Sequence, residues 1–244
     1  MKELVKKILD RFGYRVSGTR FIPRQLLQPE NLRVLTFDDI VCRRIVESGS
    51  ELTFIQVGAF DGLIQDPLRK YIARWPWRGI MIEPQSRAAA KLRKLYADDG
   101  RISVVQAALD DKEQQRTLYT VDPESAPEWA GGLASFQRET IIRHADLIPG
   151  LKDMIQEETV NCVTFDAILA KLQSNTLDLL QIDTEGADAH ILSLFPFHRM
   201  LPAIVHWEVK HLSMRQREDC LGRLASIGYR FAPSGDQDMV AVQL

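Results

Sequence analysis

Leu52-Thr53-Phe54-Ile55-Gln56-Val57-Gly58-Ala59-Phe60-Asp61-Gly62 is the stretch from which the fold can be read. A short apolar, β-branched run that ends at glycine marks a buried strand followed by a tight turn. The pattern then alternates. Residues 67–75 read as a helix, Gly79-Ile80-Met81-Ile82-Glu83 as a second strand, residues 86–96 as a helix rich in Ala, Lys, Arg and Leu, and residues 102–107 as a third strand. Short apolar strands alternating with helices imply right-handed crossovers and a parallel sheet.

Residues 110–160 break this rhythm. Thr117-Leu118-Tyr119-Thr120-Val121 reads as an extra strand, followed by a stretch holding Pro123, Pro127, Gly131 and Gly132. A long insertion in an α/β domain is either a lid or substrate-binding segment or a surface excursion. The alternation resumes with Val160-Asn161-Cys162-Val163-Thr164 and a helix over 165–172. Leu177-Asp178-Leu179-Leu180-Gln181-Ile182-Asp183 is strand four, 187–194 a helix, Ala203-Ile204-Val205-His206-Trp207-Glu208 strand five, and 214–227 a helix capped by Gly228. Residues 229–231 and 239–242 close the sheet as an antiparallel pair. The domain therefore spans 51–244, with its insertion at about 110–160.

Residues 1–50 read as an N-terminal helical extension: an amphipathic basic helix over 1–12, a loop with Pro23 and Pro29, and a helix near 38–48. The first helix could make peripheral contact with a membrane surface. The plainer reading packs it on its own domain or on a second copy of the chain, as in a homo-oligomer. Charges interrupt it, so it lacks the apolar core of a signal peptide, and no stretch reaches the roughly 20 apolar residues of a membrane span.

The composition is that of an ordinary globular protein, 45% hydrophobic and 26% charged over 244 residues. A net charge of −2, with no basic stripe interleaved with aromatics, argues against nucleic acid as a partner. Cys42, Cys162 and Cys220 are scattered and odd in number, which suggests neither a zinc site nor a disulfide framework and fits a cytoplasmic location.

In an open parallel sheet, ligands bind beyond the C-terminal ends of the strands. There the sequence places Gly58 to Gly62, Glu83, Asp110, Asp183-Thr184-Glu185-Gly186 and Glu208. Strand ends are where polar residues belong in any case, since strand interiors are covered on both faces. Glycines at the same places need a further reason: Gly58 and Gly62 let the backbone turn sharply and approach a ligand closely. An acid ending strand two, as Glu83 does, is placed to accept hydrogen bonds from a ribose diol. Together they point to an adenosine-containing cofactor. Phe60 stands where a dinucleotide fingerprint needs a glycine for pyrophosphate, which favours S-adenosyl-L-methionine (SAM) over NAD.

The chain resembles the FkbM family of SAM-dependent methyltransferases, in particular members that open with a GANDG…DPL pattern. The resemblance rests on Gly58-Ala59-Phe60-Asp61-Gly62, Asp66-Pro67-Leu68, Gly132-Leu133-Ala134-Ser135-Phe136, Leu179 through Gly186, and His206 through Ser213. Gln56 departs from it, standing where many SAM enzymes have an acid, and Phe60 replaces the usual Asn. The resemblance implies a Rossmann-like class I methyltransferase fold, with a mostly parallel seven-stranded sheet and helices on both faces. It also implies a SAM pocket formed by Gly58, Asp61, Gly62, Glu83, Ala108 and Leu109. The implied activity is methyl transfer to a hydroxyl of a sugar, polysaccharide or secondary metabolite, so that the partner is a small-molecule or glycan acceptor.

Methyl transfer to a hydroxyl needs the acceptor positioned in line, and a weak nucleophile benefits from a general base. Asp183 ranks first as that base, followed by Glu208 and His211, with Glu185 and His206 also facing the cleft. His206 reads equally well as a strand histidine hydrogen-bonded in place. Asp183 and Glu208 could instead gather a Mg2+ ion if strands four and five are adjacent. Two other functional classes share the pattern: an NAD-dependent Rossmann oxidoreductase, and a non-catalytic SAM-fold subunit that only binds a partner.

Overall fold

The computed structural model describes residues 36–243 and the backbone of 14–17 and 20–23. The expected helix over 1–12 lies outside the described residues. Strands β1 (Tyr14–Ser17) and β2 (Arg20–Pro23) pair antiparallel within the segment expected to be helix and loop.

A central sheet is built from β3 (Thr53–Val57), β4 (Arg78–Ile82), β5 (Ile102–Val105), β10 (Leu179–Ile182), β11 (Ile204–Glu208), β12 (Tyr229–Ser234) and β13 (Asp238–Gln243). Its order is β12-β13-β11-β10-β3-β4-β5. β3, β4, β5, β10 and β11 run parallel, and β13 is antiparallel to both its neighbours. The fold is thus the α/β, mostly parallel seven-stranded arrangement expected of a class I methyltransferase. The chain moves outward from β3 to β5 and returns to β10 on the other side of β3. That reversal opens a crevice at the C-terminal ends of β3 and β10.

Period-two alternation divides each parallel strand between two cores. Ile55, Val57, Ile80, Ile82, Leu180, Ile182, Val205 and Trp207 pack on one face. Phe54, Met81, Leu179 and Ile204 pack on the other. Burial on both faces is why the strands read as continuous apolar runs.

Helix α1 (Phe37–Ser48) covers the second face with Phe37, Ile40 and Val41. It begins at a reciprocal cap between Thr36 and Asp39. Arg44 bonds Asp178, whose other oxygen accepts the Thr53 N–H at 2.8 Å, so the helix is tied to the start of β3. The remaining helices are α2 (Arg69–Ile72), α3 (Ser86–Leu95), α4 (Arg138–Ile142), α5 (Leu151–Met154), α6 (Phe165–Leu169), α7 (Asp188–Leu194) and α8 (Met214–Ser226).

The insertion forms a second sheet from β6 (Ala108–Leu109), β7 (Gln114–Val121), β8 (Ala134–Ser135) and β9 (Ile155–Val163), in the order β6-β9-β7-β8. Residues 160–163 therefore extend a nine-residue strand of this smaller sheet. Asp110 anchors the sheet's base through Arg116 at 2.8 Å. That guanidinium also lies over the Phe136 ring, 3.8 Å from its centroid. Cys42 is exposed, Cys162 and Cys220 are buried, and none is paired.

Candidate functional site

The crevice at the sheet reversal deepens into a cavity of about 1090 Å³, its open mouth included. The turn after β3 forms its floor. Gly58 takes φ +78°, and a Cβ there would sit 1.7 Å from the Asp183 carbonyl oxygen. The absence of a side chain is thus demanded by the neighbouring strand end, and the residue lines the cavity through its backbone. Phe60 follows at φ +47°, a left-handed conformation rare for a bulky residue.

Glu83, at the end of β4, holds that conformation. It is buried, and its two oxygens accept the N–H groups of Phe60 and Gln85, each at 2.8 Å. Burial pushes its carboxyl up to about 7 despite those two donors, and the charges of Glu158 and Asp61 push the same way. Each oxygen keeps a lone pair for a further donor. Ala108 and Leu109 line the cavity as well, together with Ile82 and Ala107.

Asp61 and Gly62 stand apart from the cavity lining. Asp61 is buried and accepts the N–H groups of Leu63 and Ile64, so its carboxylate shapes the turn. A Cβ at Gly62 would meet the Leu92 side chain at 2.6 Å, so this glycine allows α3 to pack closely. The resemblance implies both as cofactor contacts; here they shape the turn whose residues Gly58, Ala59 and Phe60 line the cavity.

Asp66 emerges as a site residue with no individual role in the sequence reading. It lines the cavity beside Gln56 and accepts the Gln56 Nε2–H at 3.1 Å and the Leu68 N–H at 2.8 Å, both at Oδ1. Its Oδ2 and the Gln56 Oε1 are buried without partners. Desolvation by burial holds its carboxyl above the ordinary range, opposed by those hydrogen bonds. An acid thus stands beside Gln56, contributed by the turn that follows.

On the other flank, the turn after β10 carries Asp183, Thr184 and Glu185 into the cavity wall. Fully buried Asp188 accepts the N–H groups of Thr184 and Gly186, each at 3.1 Å, and holds the turn in shape. Within the turn, Glu185 takes φ +52° and Gly186 φ +107°. Asp183 is open to solvent at the cleft but walled by protein elsewhere. Desolvation, with the charges of Asp188, Glu185 and Asp238, pushes its carboxyl up to about 8.

Glu208 is buried at the end of β11 and pushed up to about 9 by burial and by Asp183, Glu185 and Asp188. His211 follows, with Nε2 lying 3.2 Å from Glu185 Oε2 and 3.8 Å from Glu208 Oε2. Asp183, Glu185, Glu208 and His211 thus gather at one end of the crevice, although Glu208 and His211 stand behind the cavity lining.

His206 lies elsewhere. It is buried between Gln181 Oε1 at 2.6 Å and Ser234 Oγ at 2.9 Å, with Phe37 packed on its ring, and burial lowers it to about 4. It is a neutral core histidine, the plainer of its two readings. The insertion supplies the outer wall through Leu118, Trp129, Ala134, Ser135 and Phe136. It is therefore part of the site.

Among solved structures, the chain is similar to a methyltransferase FkbM from Methylobacillus flagellatus KT. The identity is 14% and the TM-score 0.48, over 79% of this chain and 44% of that one. The chain thus spans less than half the length of that protein. It is also similar to a fibrillarin pre-rRNA processing protein from Methanococcus jannaschii (10%, TM-score 0.41, 80% and 67% covered) and to a ribosomal protein L11 methylase from Lactobacillus delbrueckii subsp. bulgaricus (9%, TM-score 0.40, 85% and 79% covered). No curated protein matches the chain. The model of the methyltransferase FkbM domain matches residues 56–231, from the Gln56 wall of the cavity through β11 and α8 into β12, and the chain belongs to that family.

Proposed function

We propose that the chain transfers a methyl group from SAM to a hydroxyl oxygen of a small-molecule or glycan acceptor. The observation that carries this reading is the cavity's division into two chemically distinct ends. At one, Glu83 is fixed by two backbone donors beneath an apolar wall, an acceptor pair suited to a ribose diol. Near it, the free oxygens of Asp66 and Gln56 suit an ammonium group. At the other end, Asp183 and Glu185 face the opening.

SAM supplies an electrophilic methyl group. The chain's own work is to position the acceptor and take its proton. Asp183 is the favoured base, since its raised carboxyl range suits a group that accepts a proton near neutral pH. Trp129 adds an aromatic surface to the cavity lining, on which the apolar face of a sugar ring could lie. No helix among the described residues is long and apolar enough to cross a membrane.

Calorimetric titration with SAM, its demethylated product and NAD tests the reading. SAM and its product should bind at micromolar levels and NAD should not. NAD binding without SAM binding would favour the oxidoreductase, against which Phe60 stands where the dinucleotide fingerprint has a glycine. SAM binding with no transfer to any hydroxyl acceptor would favour the non-catalytic subunit.

A further inference from the structure

We propose that His144, Glu185 and His211 bind a single divalent transition-metal ion at the acceptor end of the cleft. The three come from different elements: His144 follows α4 in the insertion, Glu185 lies in the turn after β10, and His211 in the turn after β11. Their donor atoms all lie within 4.8 Å of one another. The two imidazoles meet edge to face, with centroids 5.6 Å apart.

A second, independent observation points to a ligand. Glu185 Oε2, His211 Nε2 and Glu208 Oε2 are all sealed from solvent and lack hydrogen-bond partners. Glu208 is 6% exposed, and its free oxygen lies 3.8 Å from His211 Nε2. Leaving several buried polar atoms unsatisfied in one place is costly. An ordinary ion pair between His211 and Glu185 would leave Glu208 Oε2 unanswered and would need no second histidine. A cation bound by His144, Glu185 and His211 answers Glu185 Oε2 and His211 Nε2 directly, and it sets positive charge near Glu208 Oε2.

The local backbone supports this assembly. Glu185 adopts its left-handed conformation in a turn held by Asp188. A Cβ at Gly186 would lie 3.4 Å from His211 Cβ, so the glycine lets the two turns approach.

The donor set fixes the class of ion. Two imidazoles and one carboxylate suit Zn2+, Co2+, Ni2+, Fe2+ or Mn2+, whereas Mg2+ prefers oxygen ligands alone. The ion thus differs from the Mg2+ that the sequence suggested on Asp183 and Glu208, with Glu185 as an optional third ligand, and Glu185 alone is common to the two ligand sets. Three protein ligands leave a coordination position open, and one of them, Glu185, also lines the cavity. If the methyl-transfer reading holds, an acceptor hydroxyl could occupy that position and lose its proton more readily there.

The test uses the full chain with Cys42→Ser, which removes the exposed thiol, after EDTA treatment and dialysis. Co2+ is followed by its visible absorption, and Zn2+ by calorimetric competition. We expect one ion per chain, bound stoichiometrically at micromolar protein, with millimolar Mg2+ failing to compete. His144→Ala and Glu185→Gln should each weaken Co2+ binding roughly tenfold or more. His144 is only partly buried, so His144→Ala should melt like the parent. Absence of a stoichiometric ion, or full affinity in a folded His144→Ala chain, would overturn the proposal. SAM binding to the metal-free protein, measured separately, reports on the methyl-transfer reading without depending on the ion.

Discussion

The backbone N–H of Phe60 donates a 2.8 Å hydrogen bond to Oε2 of Glu83. One carboxylate thereby joins the ends of two adjacent strands and also lines the cavity between them. Glu83→Ala should weaken SAM binding by about 1.5–3 kcal/mol, the scale for bonds to a charged group. It should also lower the unfolding free energy by about 1–3 kcal/mol, because the N–H groups of Phe60 and Gln85 lose their acceptor. Calorimetry and thermal melts read the two effects separately. Unchanged SAM affinity would mean that the diol is held elsewhere.

The same carboxyl sets a pH dependence. Glu83 titrates at about 7 in the folded chain against an ordinary 4.5. Between those values the folded state holds more protons than the unfolded state. Its contribution to stability is therefore full below pH 4.5 and is lost as pH rises through 7, by up to about 3 kcal/mol. SAM binding should respond in the opposite sense, strengthening from pH 6 to pH 8 as the carboxylate ionises and becomes a better acceptor. Glu83→Gln should flatten the binding profile and lessen the fall in stability between pH 4.5 and 7, with the raised carboxyls of Asp183 and Glu208 keeping the remainder. A parent affinity that does not change between pH 6 and 8 would show that ionised Glu83 is not the form that binds.

Asp66 gives a prediction at the other end of the cofactor. Asp66→Asn can still accept the Leu68 N–H but loses its negative charge next to Gln56. SAM binding should weaken by about 1.5–3 kcal/mol, with melting little changed. An unaffected affinity would place the methionine amino group away from this pair.

Most of the central sheet was legible in the sequence because burial on both faces leaves apolar runs, and β3, β4, β10 and β11 are each ended by glycine or acid. Glu83 and Asp183 were legible for the same reason, as the first polar residues after such runs. Asp66 had no such signal, because it sits in an irregular turn and meets Gln56 only through the fold. His144 was hidden in the insertion, where no periodicity brings it toward His211. The long strand β9 showed only its apolar end, since its first half carries exposed polar residues. Asp61 and Gly62 were recognised as special, but their direction was not, because a turn's facing is set by α3 packing on it.

Gly58 offers a test of the fold itself. Its φ of +78° is strained for any residue with a Cβ, and the Asp183 carbonyl oxygen leaves no room for one. Gly58→Ala must therefore push β3 from β10 at the end of a central pair. The expected cost is about 3 kcal/mol or more, from backbone strain and a broken strand contact together. Denaturant unfolding checks it. A cost below about 1 kcal/mol would show that the two strand ends separate easily.

Asp183 carries the sharpest functional prediction. Its backbone N–H is bonded to the Val57 carbonyl, so the residue is fixed at the end of β10. Among the described residues no hydrogen bond reaches its carboxylate, which faces the cleft. The turn that follows is held by Asp188, so capping is already assigned to another side chain. A side chain free of structural duty, in an acidic neighbourhood that favours its protonated form, is suited to take a proton from an acceptor hydroxyl. Asp183→Asn should therefore cut methyl transfer by about 10²-fold or more. SAM affinity should change little, since the cofactor contacts lie at Glu83, Asp66 and Gln56. Stability should hold or rise slightly, because the substitution removes one charge from a group that also holds Asp188, Glu185 and Asp238. Turnover per folded molecule, SAM titration and melting temperature, measured on one preparation, distinguish the outcomes. Full turnover would leave positioning alone as the chain's contribution. A lower melting temperature with normal turnover would return Asp183 to a structural role in the turn.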